Sequence, residues 1–368
     1  MNSKVEAFSP DWVSPPGDTI LDLMEERDWS QTELANRLGF SSKHLNQLIK
    51  GKVSLTYEAA LKLERVFGST VSFWMNRESK YRQQMAKLEA QEMYSKWVDW
   101  LDKLPLSDFK RLGVIEDKRI SEKSKPLLVE QLLTFFGVAS PDDWVNHYGS
   151  MNLSFRRSKE NQADVGAIAS WLRLGEKVAE NIFAPKYNRA KFEKAVYKIR
   201  ELTVLRSDEF GPIIDELCLH SGVKLILVDS IKKAHVSGVA RWLNNHSPII
   251  QLSLYGKTND KFWFTFFHEA AHILFHSAEK KAIFLDDMDF NQNSREEEEA
   301  NEWARNILIP ESYELDLKCL KYKTEILDFS NRVSVHPGIV VGRLQYDGSI
   351  NYNTALNKLK TSFDISKQ

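Results

Sequence analysis

The chain has 368 residues, of which 42% are hydrophobic and 27% charged, and its formal net charge is −1. This composition excludes an intrinsically disordered chain, and the length suffices for two or three domains. Cys218 and Cys319 stand too far apart to indicate a disulfide framework or a cysteine zinc site. The first 16 residues have no signal-peptide pattern, and no apolar run reaches the roughly 20 residues of a membrane helix. We therefore expect a cytoplasmic protein.

The charge balance gives no overall basic footprint for nucleic acid. The first 80 residues hold 10 Lys and Arg against 11 Asp and Glu, so their formal charge is also −1. Any binding to DNA must therefore come from a local patch of side chains.

The first half of the chain has the apolar periodicity of helices. This periodicity begins at Thr19 and continues, with breaks, to about Met93, after an arm of residues 1–16 that we expect to be flexible. Residues 77–100 are predicted to form one long amphipathic helix. Residues 101–200 are predicted to be further helices, with breaks near Pro105, Pro126, Pro141 and Pro185.

Residues 30–52 have the pattern of two short helices joined by a tight turn. Ser30 and Glu33 form a capping-box pattern before the first helix, and Gly39 lies in the turn. Ser42 is expected to cap the second helix, residues 43–50. The polar residues expected on the outer face are Lys43, His44, Asn46, Gln47 and Lys50, and Lys52 follows the helix.

This pattern predicts a helix-turn-helix whose second helix enters a major groove of DNA. Asn46 and Gln47 can bond to adenine edges, and the lysines can meet phosphates or guanine. The alternative is a small helical bundle with a solvated polar face. Gln31-Thr-Glu-Leu-Ala35, Gly39 and residues 45–51 resemble the repressor-type helix-turn-helix of HigA-like antitoxins, over residues 17–80. The resemblance implies operator DNA, a homodimer and a RelE/HigB-like toxin as partners.

The pattern changes to strands near residue 211. Residues 223–228, 238–243 and 249–254 have the length and apolar content of strands, with a polar turn at residues 244–246 that predicts a hairpin. Helices follow them, which favours an α+β arrangement for the second half. The expected fold is a multi-domain, mainly α protein with an α+β C-terminal half.

The segment His268-Glu269-Ala270-Ala271-His272 has the HExxH pattern of zinc peptidases. In a helix the two imidazoles lie one turn apart on one face, where both can reach one ion. Glu269 is placed to act as the general base. Aromatic and aliphatic residues surround these groups, with Asp260 as the expected N-cap, and so apolar a helix buries two His and a Glu at a cost that a metal ion offsets.

Zinc needs a third protein ligand, and the candidates are four consecutive acids in a second helix. At about 100° per residue, Glu296 and Glu297 flank the apolar face of this helix, whereas Glu298 and Glu299 lie away from it. We favour Glu297, because Asn301 stands one turn later and can support a ligand by a hydrogen bond. The alternative is that Glu297 forms a capping box with Ser294.

His276 extends the pattern to HExxHxxxH. It lies about 12 Å of helical rise beyond His268, too far for both to reach one ion easily. We therefore expect His276 to be a structural or helix-terminal histidine.

Residues 166–359 resemble the ImmA/IrrE family of metallopeptidases. The matching pieces are Trp171-Leu-Arg-Leu-Gly-Glu176, Ser237-Gly-Val-Ala-Arg-Trp242, Pro248-Ile-Ile-Gln-Leu-Ser253, Phe264-Thr-Phe-Phe-His-Glu-Ala-Ala-His272, Glu297-Glu-Glu-Ala-Asn-Glu-Trp-Ala304 and Pro337-Gly-Ile-Val-Val-Gly-Arg-Leu344. The resemblance implies a thermolysin-like minimal peptidase core with zinc ligands at His268, His272 and Glu297. Glu269 then matches the catalytic base, while Trp303 stands where the family commonly has Phe.

These motifs predict a metal-assisted hydrolysis of peptide bonds. Residues 249–254 are expected to offer a strand edge to an extended substrate. Tyr255, His336 and Arg343 are candidates for stabilising the oxyanion, although a structural role is the simpler interpretation for each.

The predicted division is an arm at 1–16, a helix-turn-helix domain at 17–80, a helical linker region at 81–165 and a metallopeptidase domain at 166–368. Three functions fit it. The favoured one is a DNA-binding regulator or antitoxin with a zinc peptidase domain. The others are a dedicated protease that cleaves a repressor or antitoxin, and a non-catalytic sensor or toxin-binding protein on a peptidase fold.

Overall fold

A computed structural model describes residues 14–149, 164–253, 258–276, 284–287 and 295–362. The chain forms two compact units, Met1–Val98 with Ser121–Glu130, and Asp99–Ile120 with Gln131–Gln368. It is mainly helical, and a sheet in the second half confirms the expected α+β arrangement there. Within the described ranges, no helix has the length and apolar character needed to cross a membrane. The four-part division at residues 17, 81 and 166 stays a prediction.

The first unit is built on five helices around one small core. They are α1 (Pro16–Glu25), α2 (Gln31–Leu38), α3 (Ser42–Ile49), α4 (Tyr57–Phe67) and α5 (Val71–Lys96). Each contributes fully buried apolar side chains, among them Ile20, Leu34, Leu45, Leu63 and Trp74. Burial of one such side chain stabilises a fold by about 1.5–3 kcal/mol.

Hydroxyl caps start both helices of the predicted helix-turn-helix. The Oγ of Ser30 accepts a hydrogen bond from the backbone N–H of Glu33 at 3.2 Å, as predicted. The Oγ of Ser41 accepts one from the N–H of His44 at 3.1 Å, so Ser41 caps α3. The prediction of Ser42 as this cap was wrong, because Ser42 is already the first helical residue. Two adjacent serines can both cap a helix, and the end of the turn decides between them.

Helix α5 is longer than predicted at its start and shorter at its end. It begins at Val71, where the Oγ1 of Thr70 caps it, because Trp74 is buried in the core of the first unit. Further along, the guanidinium of Arg82 donates to the carbonyl oxygen of Gly51 at 3.1 Å. Gly51 has a φ of 66° and directly follows α3 and its C-cap. Helix α5 therefore holds the C-terminal end of α3.

Eleven further helices are described. They are α6 (Leu106–Arg111), α7 (Lys125–Phe136), α8 (Pro141–Gly149), α9 (Val165–Glu180), α10 (Arg189–Glu201), α11 (Ser207–His220), α12 (Asn259–Phe275), α13 (Arg295–Leu308), α14 (Glu314–Lys318), α15 (Lys323–Val333) and α16 (Pro337–Tyr346). Pro126 and Pro141 stand in first turns, where proline is tolerated. Pro105 and Pro185 stand between helices.

The second unit contains a four-stranded sheet. Its strands are β1 (Lys224–Val228), β2 (Val236–Asn244), β3 (Ser247–Ser253) and β4 (Phe284–Asp287), in the order β1-β3-β2-β4. The predicted hairpin is confirmed, because β2 and β3 pair antiparallel around the predicted turn. The remaining pairs are β1 parallel to β3 and β4 antiparallel to β2.

This order corrects one expectation. Strand β3 pairs on both sides and is interior, so residues 249–254 do not offer a strand edge, and Leu254 lies outside the described residues. The error arose because a crossover places β1 beside β3, a pairing that the strand sequences do not reveal. The edges of the described sheet are β1 and β4.

Helices cover both faces of the sheet. On one face, Trp171 and Leu172 of α9 pack against Ile226, Val239 and Ile249. On the other face, α12 packs through its aromatic residues against apolar side chains of the sheet. That second cluster includes Phe262, Trp263, Phe266, Phe267, Leu225, Ala240, Ile250 and Leu252.

A buried polar network fastens α9 to the sheet. Arg241 of β2 pairs with Glu176 and donates to the carbonyl oxygen of Leu172 at 2.6 Å. The Nε2 of Gln251 in β3 donates to the carbonyl oxygen of Trp171 at 2.6 Å. Burial opposes ionisation of Glu176, but Arg241 and a second arginine outweigh it and lower its pKa. The network therefore joins three of the segments that resemble the peptidase family, residues 171–176, 237–242 and 248–253. The Glu176 carboxylate at its centre stays charged.

Arg200 of α10 joins two helix ends. Its guanidinium donates to the carbonyl oxygens of Ile307 and Leu308 at the end of α13, and to that of Val333 at the end of α15. The last carbonyls of a helix have no partner within the helix and carry partial negative charge. Arg200 therefore satisfies them and fixes the end of α13 on the core.

Asp215 of α11 gives a prediction about stability. Burial raises the pKa of Asp215 from 3.8 to about 6. Folding therefore favours its protonated form, and the folded state loses stability as pH rises from about 4 to about 6. We expect Asp215→Asn to raise the free energy of unfolding by about 1–2 kcal/mol at pH 7.5, allowing for its partial exposure. The gain should disappear at pH 4, as measured by urea unfolding at both values.

Glu216→Gln serves as the control, because Glu216 is the next residue of α11 and its side chain is 70% exposed. This variant should change stability little at either pH. An Asp215→Asn gain that is equal at pH 4 and pH 7.5 would contradict the assigned cause.

Candidate metal centre and helix-turn-helix

Helix α12 buries the whole HExxH motif. His268, Glu269 and His272 are 1%, 0% and 2% exposed. Their neighbours on the helix are mostly apolar and pack into the core, so the sequence folds here as a buried helix with one polar stripe. A polar stripe at this depth requires partners of opposite charge or hydrogen-bonding character.

The start of α12 differs from the expectation. Thr258 is the N-cap residue, and Asp260 lies inside the first turn, so the prediction of Asp260 as the cap was wrong. The carboxylate of Asp260 instead accepts a hydrogen bond from the Nζ of Lys360 at 2.5 Å, and Asn259 accepts one from the N–H of Thr361. The partner of this carboxylate therefore comes from a segment 100 residues further along the chain, and the sequence around Asp260 could not predict it.

The third acid of the cluster comes from α13. Glu297 is 6% exposed, whereas Glu296 is exposed. Helical periodicity left both acids as candidates for the third ligand, and only Glu297 lies in the buried cluster. An oxygen of Glu297 lies 3.2 Å from the Nε2 of His268, and the other lies 3.5 Å from the Nε2 of His272. The two Nε2 atoms are 3.0 Å apart. The alternative capping partner of Glu297, Ser294, lies outside the described residues.

This donor set fits a zinc ion. Two imidazole nitrogens and a carboxylate oxygen are common zinc ligands, with bonds of about 2.0–2.2 Å in tetrahedral geometry. Bonds of that length place neighbouring ligand atoms about 3.3 Å apart. The two Nε2 atoms are 3.0 Å apart, and each lies 3.2 or 3.5 Å from one of the two Glu297 oxygens, so these distances bracket that value. Three protein ligands also leave one tetrahedral position for solvent, as in catalytic zinc sites.

Each candidate histidine ligand also has a partner on its other ring nitrogen. The Nδ1 of His268 lies 3.0 Å from the Oδ1 of Asn301, so the predicted supporting residue contacts the cluster through His268. The Nδ1 of His272 lies 2.9 Å from the Nδ1 of His276, and the Nε2 of His276 lies 3.5 Å from a carboxylate oxygen of Glu299. Neither His276 nor Glu299 was predicted as a residue of this site. The i, i+4 spacing from His272 was the available signal.

The electrostatics of the cluster favour a cation. Burial lowers the pKa of His272 to about 4, so this imidazole is neutral at pH 7. Burial alone would raise the pKa of Glu297, but hydrogen bonds to His268 and His272 outweigh it and keep the pKa well below its usual value. A neutral imidazole and an ionised carboxylate are the forms that bind a metal ion.

Glu269 lies against the sheet at Gly238 of β2. A Cβ atom built on Gly238 would lie 2.8 Å from the Oε1 of Glu269 and 2.5 Å from the Cγ2 of Thr265. The ladder between β2 and β4 is irregular between Val236 and Gly238, and the Oγ of Ser237 is buried there without a hydrogen-bond partner among the described residues. The absence of a side chain at Gly238 therefore lets the strand approach the carboxylate.

The three oxyanion candidates have other surroundings. Tyr255 lies outside the described residues. The Nδ1 of His336 accepts a hydrogen bond from the N–H of Gly338 and caps α16. Arg343 pairs with Asp347 at 2.8 Å. For His336 and Arg343 the structural role is therefore the one supported by their contacts.

The polar residues of the predicted recognition helix lie on or beside α3. Lys43, Lys50 and Lys52 are exposed. Asn46 and Gln47 are half-buried, and the Nδ2 of Asn46 donates to the Oε1 of Gln31 at 3.4 Å. The sixth residue, His44, is half-buried with its ring 4.9 Å from that of Phe40 in an edge arrangement. The outer face is therefore polar, and two of its members are already positioned by neighbours.

Comparisons with known proteins agree with both halves. The family model described as helix-turn-helix matches residues 20–74, and the peptidase-family model described as IrrE N-terminal-like domain matches residues 224–345. The expected ImmA/IrrE resemblance is thereby confirmed, over a shorter range than residues 166–359. The HigA likeness stays a prediction.

Three curated relatives each match a short part of the chain. The uncharacterized HTH-type transcriptional regulator YddM of Escherichia coli is 33% identical over 66 residues, which are 18% of this chain and 70% of that protein. YbaQ of the same organism, also an uncharacterized HTH-type transcriptional regulator, is 37% identical over 17% of this chain and 58% of its own length. A putative HTH-type transcriptional regulatory protein of Pyrococcus abyssi is 45% identical over 15% of this chain and 18% of its own length.

Three findings lead to one conclusion. They are the helix-turn-helix core, the match to most of the length of YddM, and the family match that includes the His–His–Glu cluster. The chain belongs to the HTH-type transcriptional regulators and carries in its second half a domain of the IrrE N-terminal-like peptidase family.

Proposed function

We propose that the protein is a DNA-binding transcriptional regulator whose second unit hydrolyses peptide bonds with zinc held by His268, His272 and Glu297. The observation that carries the proposal is the convergence of three ligand atoms within 4.8 Å of one another beside a buried glutamate. A HigA-like antitoxin role, with a RelE/HigB-like toxin and a homodimer on operator DNA, is the finer form of this proposal. It follows from the resemblance of the first unit.

The residues of this chain have separate tasks in the proposed reaction. When bound, zinc supplies Lewis acidity toward a carbonyl group and a water molecule. Glu269 accepts the proton of the attacking water and returns it to the leaving amine, as a general base and then a general acid. Strand β2 holds the Glu269 carboxylate in place at Gly238, and α13 holds Glu297 against the two histidines.

We propose that a substrate binds in extended form at the edge of the sheet that is nearer to Glu269. Strand β4 is the sheet edge next to β2, whose Gly238 contacts Glu269. An extended peptide can add to a strand edge through backbone hydrogen bonds. We therefore propose that the substrate pairs at the β4 side and not along β3, which is interior.

One prediction of the proposed function concerns the metal and the base. His268→Ala should reduce zinc from about one ion per chain to near zero, because a tetrahedral site cannot lose a ligand without a large loss of affinity. Glu269→Gln should keep the zinc and lower hydrolysis by about 10²–10⁴-fold. The measurements are zinc content by mass spectrometry and cleavage of a peptide library.

His220→Ala is the matched control, because the side chain of His220 is 74% exposed on α11. It should keep both zinc and activity. Unchanged zinc in His268→Ala would exclude the metal site. A Glu269→Gln protein that keeps its zinc and every cellular effect would favour the non-catalytic sensor.

Gly238→Ala tests the position of the base. The added methyl group meets Glu269 and Thr265, so the carboxylate must shift, and a shift of about 1 Å can cost about 10²-fold in rate. We expect hydrolysis to fall by about 10–100-fold while zinc content stays unchanged. Peptide cleavage and metal analysis on the same sample measure the two effects.

The double variant Gly238→Ala with Thr265→Ser separates the two contacts. It removes the Cγ2 atom that lies 2.5 Å from the added methyl group, so only the contact with Glu269 remains. Activity should stay low in the double variant. Wild-type activity there would show that Thr265, and not Glu269, limits the space at residue 238.

The DNA-binding proposal rests on the exposed face of α3. Lys43→Ala with Asn46→Ala should weaken binding to DNA selected from a random-sequence library by about 5–150-fold, and removal of a lysine should lower the salt slope by about one. Both residues lie outside the core, so the melting temperature should change little. Fluorescence anisotropy at several salt concentrations measures the affinity.

Lys80→Ala removes one positive charge from an exposed position on α5 and serves as the control. It should leave the preference for the selected sequence unaltered. Equal affinities of the double variant and the wild type would reject α3 as the recognition helix. Such a result together with an active peptidase would favour the dedicated protease.

A further inference from the structure

We propose that His276 is a positioning residue of the metal centre, through a Glu299–His276–His272 chain that fixes the tautomer and ring orientation of His272. The inference rests on the proposed function, since it assigns a task within the same site. It concerns a histidine that lies outside the ligand set and outside the HExxH motif.

The contacts define a continuous chain of polar atoms. The Nδ1 atoms of His272 and His276 are 2.9 Å apart, which is a hydrogen-bond distance between two ring nitrogens. On the far side, the Nε2 of His276 lies 3.5 Å from an oxygen of Glu299. The His276 side chain is 9% exposed and that of Glu299 is 54% exposed, so the chain runs from the surface to the buried cluster.

The direction of the hydrogen bonds follows from the task of His272. Its Nε2 faces His268 and Glu297, so a metal ion there requires a lone pair on Nε2 and a proton on Nδ1. The Nδ1–H of His272 must then donate to His276, whose Nδ1 accepts. A neutral His276 in this state carries its proton on Nε2, where Glu299 can accept it. One tautomer of each ring therefore satisfies these three contacts, between His272, His276 and Glu299 and between His272 and the cluster.

His268 is supported differently. Its Nδ1 lies 3.0 Å from the Oδ1 of Asn301, which can only accept, so this ring also holds a proton on Nδ1 and a lone pair on Nε2. Both candidate ligands thus present the same nitrogen to the centre. Metal-bound histidines generally use a carboxylate, a carbonyl oxygen or water for this purpose. For His272 the immediate partner is instead the ring of His276, and the carboxylate of Glu299 contacts the other nitrogen of that ring.

Zinc affinity is the direct test. His276→Phe keeps an aromatic ring but removes the acceptor, and the loss of such a partner typically weakens metal binding by about 10–100-fold. We expect this loss in a competition titration of full-length protein with zinc and a chromogenic chelator. His276→Gln offers a carbonyl oxygen as acceptor and should restore affinity to within about 5-fold of wild type. Melting of the metal-free proteins checks that both variants fold.

Two neighbouring acids provide a matched pair on α13. Glu299→Gln removes the charge behind His276 and should weaken zinc binding by about 2–5-fold, since that side chain is half-exposed. Glu298→Gln changes the adjacent exposed acid and should have no effect. Both substitutions lie at exposed positions, so the pair remains informative if His276→Phe does not fold.

Nitrogen-15 NMR of the imidazoles gives a second readout without activity. In the zinc-loaded protein we expect a proton on the Nδ1 of His272 and on the Nε2 of His276. A proton on the Nδ1 of His276, or a His276→Phe variant that binds zinc as tightly as wild type, would overturn the inference. If His268→Ala abolishes zinc binding in that case, the metal centre stands and only the role of His276 fails. If the wild type binds no stoichiometric zinc, both fail.

Discussion

The second unit depends on one packing contact, that of α12 against α13. This contact brings the carboxylate of Glu297 to the imidazoles of His268 and His272 inside a core where all three are at least 94% buried. Ionisable groups at that depth are costly unless they meet a partner of opposite charge. Burial of these three groups therefore lowers the stability of the fold in return for a candidate cation site. The surrounding aromatic residues provide the rigidity that keeps the cluster assembled.

The two units illustrate different uses of helices. In the first unit, short helices with hydroxyl caps pack around one core and leave the outer face of α3 polar. In the second, helices enclose a sheet on both faces and carry the His–His–Glu cluster on buried sides. Arg200 and the Arg241–Glu176 network satisfy helix ends and buried charges that such enclosure creates. The polar groups outside the centre thus serve mainly to fix the elements that bear it.

Periodicity and motif spacing were sufficient for much of this architecture. Local sequence patterns predict the capped helices, the hairpin and the helix that carries the HExxH motif. The apolar face of α13 also reduced the candidates for the third ligand from four acids to two. The failures share a cause. Strand β3 proved interior and Asp260 pairs with Lys360, and both outcomes depend on which groups meet in three dimensions. His276 does stand at the end of α12, as predicted, but its contact with His272 through the ring nitrogens is a tertiary fact of the same kind. Strand order and hydrogen-bond direction are tertiary facts, and a single sequence specifies them only through the fold.

Helix α13 carries Glu297, Glu299 and Asn301 at every second position, and each of them contacts a histidine of α12. Their alignment relies on the phase of one helix, whose far end Arg200 pins. A single inserted residue turns the following part of a helix by about 100°. A point substitution therefore alters one of these three contacts at a time, but a change in length near the start of α13 displaces all three side chains together.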